Sequence, residues 1–548
     1  RGKLLRLLAA TLAASLVGLL IIDMSLYRLY HFHFNGIVLH FILGGGLQEI
    51  VGLSSQEYLL LSLLLGLLFL FEYGLAWLCW HKIHLHRWAY FSTLHALAPS
   101  CLLLSYLLFF SAAASADSKD NTVLENTHAI VMQATILPLY HNLIATLFPI
   151  SLTDSMRSGE GMFTQQAQKT HTLYYPQHPL HFSPPTHLPN IVIIGLDAWR
   201  FDMMTPEVSP HIYAFSKRCL QFTEHWSGGN GTEPGLFSLF YSLPSTYWSS
   251  AIVTGQSPLL IHELSKFGYK LGLFVSAETY SPPYNKTIYR EVPHMPTRTP
   301  GDEPYQRDAY ITHAFDQFIK QQDQQHPFFS FVFYNTTHSY CTANPYPHVF
   351  LPQTEECNRL QLDNDFDPTP FRNRYKNAVH YVDGLVGQVL LTLEKNHQLD
   401  NTLVLILGDH GEEFNDNHTD AWGHAGNFTR YQLQTPLLIY WPGKSPQRYT
   451  HQTTHFDIVP TLFNHVFNCK NPSQDYSIGH DLFDSNPRPY IVVGSYIDFG
   501  IVEKGRITRI LPGGNLEILD DHNQLLSAKP SIEIVKQAFG DTQRFYHI

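Results

Sequence analysis

Asp197, Thr232, Asp409 and His410 are the residues of this chain whose types and settings suit chemistry at a metal ion. Asp197 closes the run Asn-Ile-Val-Ile-Ile-Gly-Leu at 190–196, and Asp409-His410 closes Leu-Val-Leu-Ile-Leu-Gly at 403–408. An adjacent Asp and His offer a hard oxygen and an imidazole nitrogen from one turn, a donor mixture that suits Zn or Mn. Thr232 follows the glycine-rich stretch Ser-Gly-Gly-Asn-Gly at 227–231 and precedes a segment that reads as helix, Leu-Phe-Ser-Leu-Phe at 236–240. A hydroxyl at the positive end of a helix is well seated to attack phosphorus. Each residue has a plainer reading: Asp197 as a cap at a strand-to-helix turn, Thr232 as an ordinary N-cap beside a flexible loop. Taken singly those readings are stronger; two strands each ending in Asp, one with His attached, are harder to explain as capping.

The elements that must position these residues are legible in pattern. Both runs are continuous, apolar and rich in β-branched residues, as central strands of a parallel sheet covered on both faces are. In open α/β sheets ligands gather at the carboxyl ends of the strands, where both Asp residues stand. The expected fold class is therefore α/β with a central, mostly parallel sheet. From about 490 to 548, short apolar runs alternate with turns such as Pro512-Gly513-Gly514, which predicts a small antiparallel sheet and a final helix over 531–539.

The first part of the chain is different in kind. Before about residue 115 it is dominated by Leu, Ala, Phe and Gly, and three stretches, 4–26, 58–80 and 88–111, are long and apolar enough to span a bilayer. Residues 33–52 are apolar but broken by Gly44-Gly45-Gly46 and read as a connector. Residues 1–114 are thus read as transmembrane, 115–189 as an interfacial helix and Pro- and His-rich linker, and 190–548 as one soluble domain. Arg1, Lys3, Arg6, Lys82 and Arg87 lie on one side of the spans and only Arg28 and Lys119 near the other. That bias places the N-terminus in the cytoplasm and the domain outside, in the periplasm of a cell with two membranes. Beginning without Met on a basic tripeptide, the sequence suggests a truncated start.

The 548 residues carry a formal charge of −11, which excludes a nucleic-acid binder relying on a basic face. The six cysteines form no CxxC pair, so a structural zinc site is not expected. Cys341 and Cys357 flank a Pro-rich loop and are expected to pair in an oxidising compartment.

The order strand–Asp197, Gly-rich loop–Thr232–helix, then Gly408-Asp409-His410-Gly411-Glu412 resembles the sulfatase branch of the alkaline phosphatase superfamily. Residues 375–391, Ala421-Trp422-Gly423-His424, Thr435 to Gly443 and Thr454 to Leu462 are similar to further motifs of that branch, so the likeness covers roughly 188–500. Sulfatases carry a modifiable Cys or Ser in a Cys/Ser-x-Pro-x-Arg motif; here Thr232-Glu233-Pro234-Gly235-Leu236 has neither that residue nor the Arg. The overall pattern, including Leu137-Pro138-Leu139-Tyr140, is similar to the YejM/PbgA family of inner-membrane proteins. That resemblance implies control of lipopolysaccharide and outer-membrane lipid balance, contact with membrane lipids such as lipid A, and a regulatory protein partner in the inner membrane. It also implies one divalent ion (Mg, Mn or Zn) on Asp197, Thr232, Asp409 and His410, with Thr232, His338 and His424 as catalytic groups. His338 and Arg200 would bind substrate, although Arg200 also suits a structural ion pair. The alternative is an active transferase of phosphoryl-linked head groups, like lipoteichoic acid synthases and phosphoethanolamine transferases, with Thr232 as nucleophile.

Overall fold

The computed structural model describes residues 2–30, 55–81 and 172–546, apart from 281, 294, 324–325, 356 and 512–515. The chain divides into two compact units, one within residues 1–164 and the other mainly 165–548. In the first unit, α1 (Gly2–Tyr30) and α2 (Ser55–His81) pack against one another, with Leu65 against Gly18, where the missing side chain lets the helices approach. Within them, Arg6–Leu26 and Leu59–Leu78 are long and apolar enough to cross a membrane. Their leucines are largely exposed, as lipid-facing residues would be. The expected third span at 88–111 and the connector up to residue 171 lie outside the described residues.

The second unit is built on a seven-stranded sheet ordered β3-β4-β1-β5-β8-β2-β9. Its strands are β1 (Asn190–Leu196), β2 (Leu220–Trp226), β3 (Lys270–Val275), β4 (Phe328–Tyr334), β5 (Thr402–Gly408), β8 (Leu437–Tyr440) and β9 (Gln447–Thr454). The strands β3, β4, β1 and β5 run parallel, and β8 is antiparallel to both its neighbours. The continuous apolar runs are explained by burial on two sides. In β1, Ile191 and Ile193 enter one core while Val192, Ile194 and Leu196 enter the other, and β4 and β5 alternate likewise. One core is covered by α4 (Thr232–Tyr241) and α7 (Ile458–His465). The opposite core is covered by α3 (Pro210–Ser216), α5 (Pro304–Lys320) and α6 (Thr369–Lys395).

A hairpin pairs β6 (Glu413–Phe414) with β7 (Trp422–Gly423), and an antiparallel sheet joins β10 (Ile491–Gly494), β11 (Phe499–Glu503), β12 (Arg506–Ile510) and β13 (Leu516–Leu519). The helix α8 (Ile532–Gln543) follows. The architecture is thus the α/β class with a mostly parallel sheet and a small C-terminal antiparallel one. Residues 172–189, read as linker from sequence, lie along this unit: Leu173 bridges Tyr546 and Phe182 bridges Cys469.

Candidate metal centre

Register brings the two acidic strand ends together. Leu196 of β1 pairs with Gly408 of β5, so the next residue on each strand, Asp197 and Asp409, leaves the sheet at the same level on neighbouring strands. His410 follows, and α4 delivers Thr232 from the far side of the Gly-rich loop. The carboxylates of Asp197 and Asp409 and the His410 imidazole are buried, and their donor atoms lie within 4.8 Å of one another. The Thr232 hydroxyl lies 3.4 Å from both Asp197 carboxylate oxygens and 3.3 Å from His410 Nε2. Thr232 is the first residue of its helix, the cap position belongs to Gly231, and no side chain caps there. Its hydroxyl is therefore aimed at the acidic cluster rather than spent on an N-cap.

Two glycines make this approach possible. A Cβ on Gly235 would stand 2.4 Å from the Asp409 carbonyl oxygen, so only glycine lets the first turn of α4 sit against the Asp409 turn. A Cβ on Gly408 would meet the Trp199 carbonyl oxygen at 2.6 Å. Ala198 holds a left-handed φ of 58°, a costly conformation for a residue with a Cβ. It donates its N–H to Asp409 Oδ1 at 3.0 Å, which ties the β1 turn to the β5 turn.

The donor set fits a divalent cation. Asp409 Oδ1 accepts from the Ala198 and His410 N–H groups, while Oδ2 is buried with no hydrogen-bond partner among the described residues. A buried carboxylate oxygen without a donor is costly unless something else meets it. The carbonyl of Gly411 accepts from His410 Nδ1 at 2.8 Å, so Nε2 faces Asp197, Asp409 and Thr232, and in the neutral imidazole that a bound cation would select it carries the lone pair. Burial first, and the Asp409 charge second, push the Asp197 carboxyl up to about 7. Burial raises Asp409 as well. For His410 burial acts downward, yet the Asp409 and Asp197 carboxylates outweigh it and push the imidazole up to about 9. Crowded buried carboxylates of this kind are relieved by a nearby dication.

Two more imidazoles border the cluster. The His424 ring centre is 4.4 Å from that of His410 and 4.9 Å from that of His338. Burial lowers both: His338 falls well below the usual imidazole range, with His424 adding to the effect, and His424 is lowered further by His410. His338 is carried by the turn after β4, whose Asn335 and Thr336 N–H groups donate to the buried Asp308 carboxylate at 3.0 and 2.9 Å. His424 follows β7, and its Nδ1 donates to Glu412 Oε2 at 2.7 Å. Burial pushes Glu412 up, but His424 and Arg359 outweigh it and hold its carboxyl down at about 2. Asp308 and Glu412 are functional neighbours to which the sequence alone assigns no role. Glu412 was signalled by its place two residues after His410, whereas nothing local marks Asp308.

Arg200 does not join the site. Its guanidinium is buried and donates to Asp202 at 2.9 and 2.8 Å, to Asp416 at 2.7 and 3.2 Å, and to the Glu412 carbonyl at 3.0 Å. A guanidinium has five N–H donors, and these bonds use them all. Of its two readings these bonds favour the ion pair over substrate binding. Cys341 and Cys357 form the expected disulfide.

A family model described as Sulfatase matches residues 189–468, and one described as a domain of unknown function, DUF3413, matches residues 1–182. The chain is 26% identical to the inner membrane protein YejM of Salmonella typhimurium over 99% of this chain and 85% of that protein. It is 27% identical to an uncharacterized protein of Haemophilus influenzae over 68% of this chain and 57% of that protein. Among solved structures, the phosphonate monoester hydrolase of Agrobacterium radiobacter superposes with a TM-score of 0.48 at 16% identity, covering 65% of this chain and 94% of that one.

Proposed function

The chain belongs to the sulfatase family, and on that premise we propose an inner-membrane protein whose sulfatase-like domain binds one divalent cation and performs phosphoester chemistry through Thr232. The observation that carries this reading is the convergence of the Thr232 hydroxyl on Asp197 and His410, beside an Asp409 oxygen with no hydrogen-bond partner among the described residues. Asp197, Asp409, His410 and the Thr232 oxygen would hold Mg, Mn or Zn. Such an ion lowers the pKa of a bound hydroxyl and offsets charge on a phosphoryl oxygen. Thr232, the first residue of α4, would be the nucleophile toward the phosphorus of a bound ester. His338 and His424 flank the same space, in reach of a non-bridging or leaving oxygen. Thr232 in place of a Cys or Ser, and Leu236 in place of the motif's Arg, argue against formylglycine sulfate-ester hydrolysis.

In the cell, the proposal is a periplasmic domain that acts in lipopolysaccharide and outer-membrane lipid balance, with membrane lipids, lipid A among them, and an inner-membrane regulatory protein as partners. Its support is the motif resemblance together with the likeness to the inner membrane protein YejM. Thr232→Ala expressed in cells lacking the protein tests it. Loss of rescue, with normal expression and folding, is expected, read as lipopolysaccharide abundance and envelope integrity. Full rescue would remove chemistry at Thr232 from the essential role. For the purified chain, turnover of bis(4-nitrophenyl) phosphate is expected with at least one of Mg, Mn and Zn. No turnover with any of them would sink the enzymatic part.

A further inference from the structure

Glu412 belongs to no metal group, yet it is buried and both its carboxylate oxygens are engaged. Oε2 accepts from His424 Nδ1 at 2.7 Å, while Oε1 accepts from the Tyr340 hydroxyl at 3.0 Å and lies 3.8 Å from the Arg359 guanidinium. Resting on the reading of Thr232 as the centre of a phosphoester site, we propose that Glu412 is a positioning residue for His424, and that the disulfide-closed loop from Tyr340 to Arg359 holds Glu412 in place.

The geometry runs in three steps. A carboxylate can only accept, so His424 Nδ1 donates to it and Nε2 is the nitrogen left for the reacting oxygen; a proton taken up at Nε2 passes to the leaving oxygen as its P–O bond breaks. This is the arrangement by which a buried acid fixes the tautomer and the angle of a working histidine. The two side chains that secure the acid come from the ends of one loop: Tyr340 immediately precedes Cys341, and Arg359 stands two residues after Cys357. The disulfide joins those ends at a Cα separation of 5.5 Å. Arg374 of α6 then ties them to the core. Its guanidinium donates to the Tyr340 and Thr342 carbonyls, each at 2.8 Å, and to those of Thr354 and Glu355 at 2.8 and 2.7 Å. Opening the disulfide releases the two loop ends from one another, so the loss of chain entropy needed to hold Tyr340 and Arg359 on Glu412 must be met anew.

The test uses the full chain with the cation that supports turnover, as wild type, Glu412→Gln, Glu412→Ala and the double variant Cys341→Ser/Cys357→Ser. Two phosphodiesters are compared: bis(4-nitrophenyl) phosphate, whose leaving group needs little help, and diphenyl phosphate, whose leaving group needs a proton. Glu412→Ala and the cysteine variant are expected to lose about 10–100-fold in kcat on diphenyl phosphate and less than about threefold on the nitrophenyl ester, with metal affinity unchanged. Glu412→Gln, which still accepts from His424, is expected to recover most of the loss. Equal losses on both esters, or a loss of metal affinity, would show a structural role and overturn the proposal. If the wild type turns over neither ester, the phosphoester reading fails, and calorimetry with inorganic phosphate decides the present point. Weaker phosphate binding in Glu412→Ala with metal binding intact supports the positioning role, and unchanged phosphate binding refutes it.

Discussion

Replacing Arg200 with Met should cost stability and leave substrate affinity alone. The guanidinium is 1% exposed and pairs with Asp416, itself 8% exposed, and with Asp202, 36% exposed. Taking one partner from a buried ion pair costs about 3–5 kcal/mol, because the remaining charge stays buried. Two features move the expectation to the lower end: Asp202 is solvated, and Asp416 keeps Arg372 as a partner. About 3 kcal/mol remains after that discount for screening. A domain of about 375 residues has an unfolding entropy near 0.8 kcal/mol per kelvin, so Tm should fall by roughly 4 °C. Tryptophan fluorescence of the full chain during heating measures this, alongside KM for bis(4-nitrophenyl) phosphate. KM is expected to stay within about twofold of wild type. A Tm within about 1 °C of wild type together with a tenfold rise in KM would refute the reasoning and make Arg200 an anion contact.

Removing the cation with a chelator should lower Tm by about 3 °C, since an ion at a hundred times its Kd adds about 2.7 kcal/mol to the folded state. Unchanged melting with and without Mg, Mn and Zn would count against the metal site. Thr232→Ala should lose more than about 10³-fold in turnover while folding normally, whereas Thr232→Ser should keep measurable activity; equal rates for Ala and wild type would remove Thr232 as nucleophile. Gly235→Ala should destabilise the chain by about 1–3 kcal/mol, because the new Cβ overlaps the Asp409 carbonyl and α4 must shift. That shift should carry Thr232 away from Asp197 and cut turnover about 100-fold. Wild-type melting and rate in this variant would contradict the close approach.

The parts of the site legible in sequence are those set by local pattern. The ends of β1 and β5 could be found because strands buried on both faces are unbroken apolar runs, and the residues after them, Asp197 and Asp409-His410, are abrupt polar exceptions. Thr232 could be named but not oriented, since a helix-start threonine is equally suited to capping, and only the fold turns its hydroxyl to Asp197 and His410. Arg200 was ambiguous because the carboxylate that decides its role, Asp416, is distant in sequence. Asp308 gave no signal because it serves backbone N–H groups of the turn after β4, a contact made by the packing of α5 against that strand.

By itself the sequence determined the strand ends, the apolar helices, the acidic balance and the identity of each chemical group, all properties of neighbouring residues and their periodicity. The tertiary structure decided which groups meet. The Leu196–Gly408 register sets two carboxylates side by side, Gly235 admits the helix carrying Thr232, and the loop closed by Cys341 and Cys357 reaches Glu412. Those contacts join residues far apart along the chain. Their distances follow from sheet order and close packing, which no local pattern encodes.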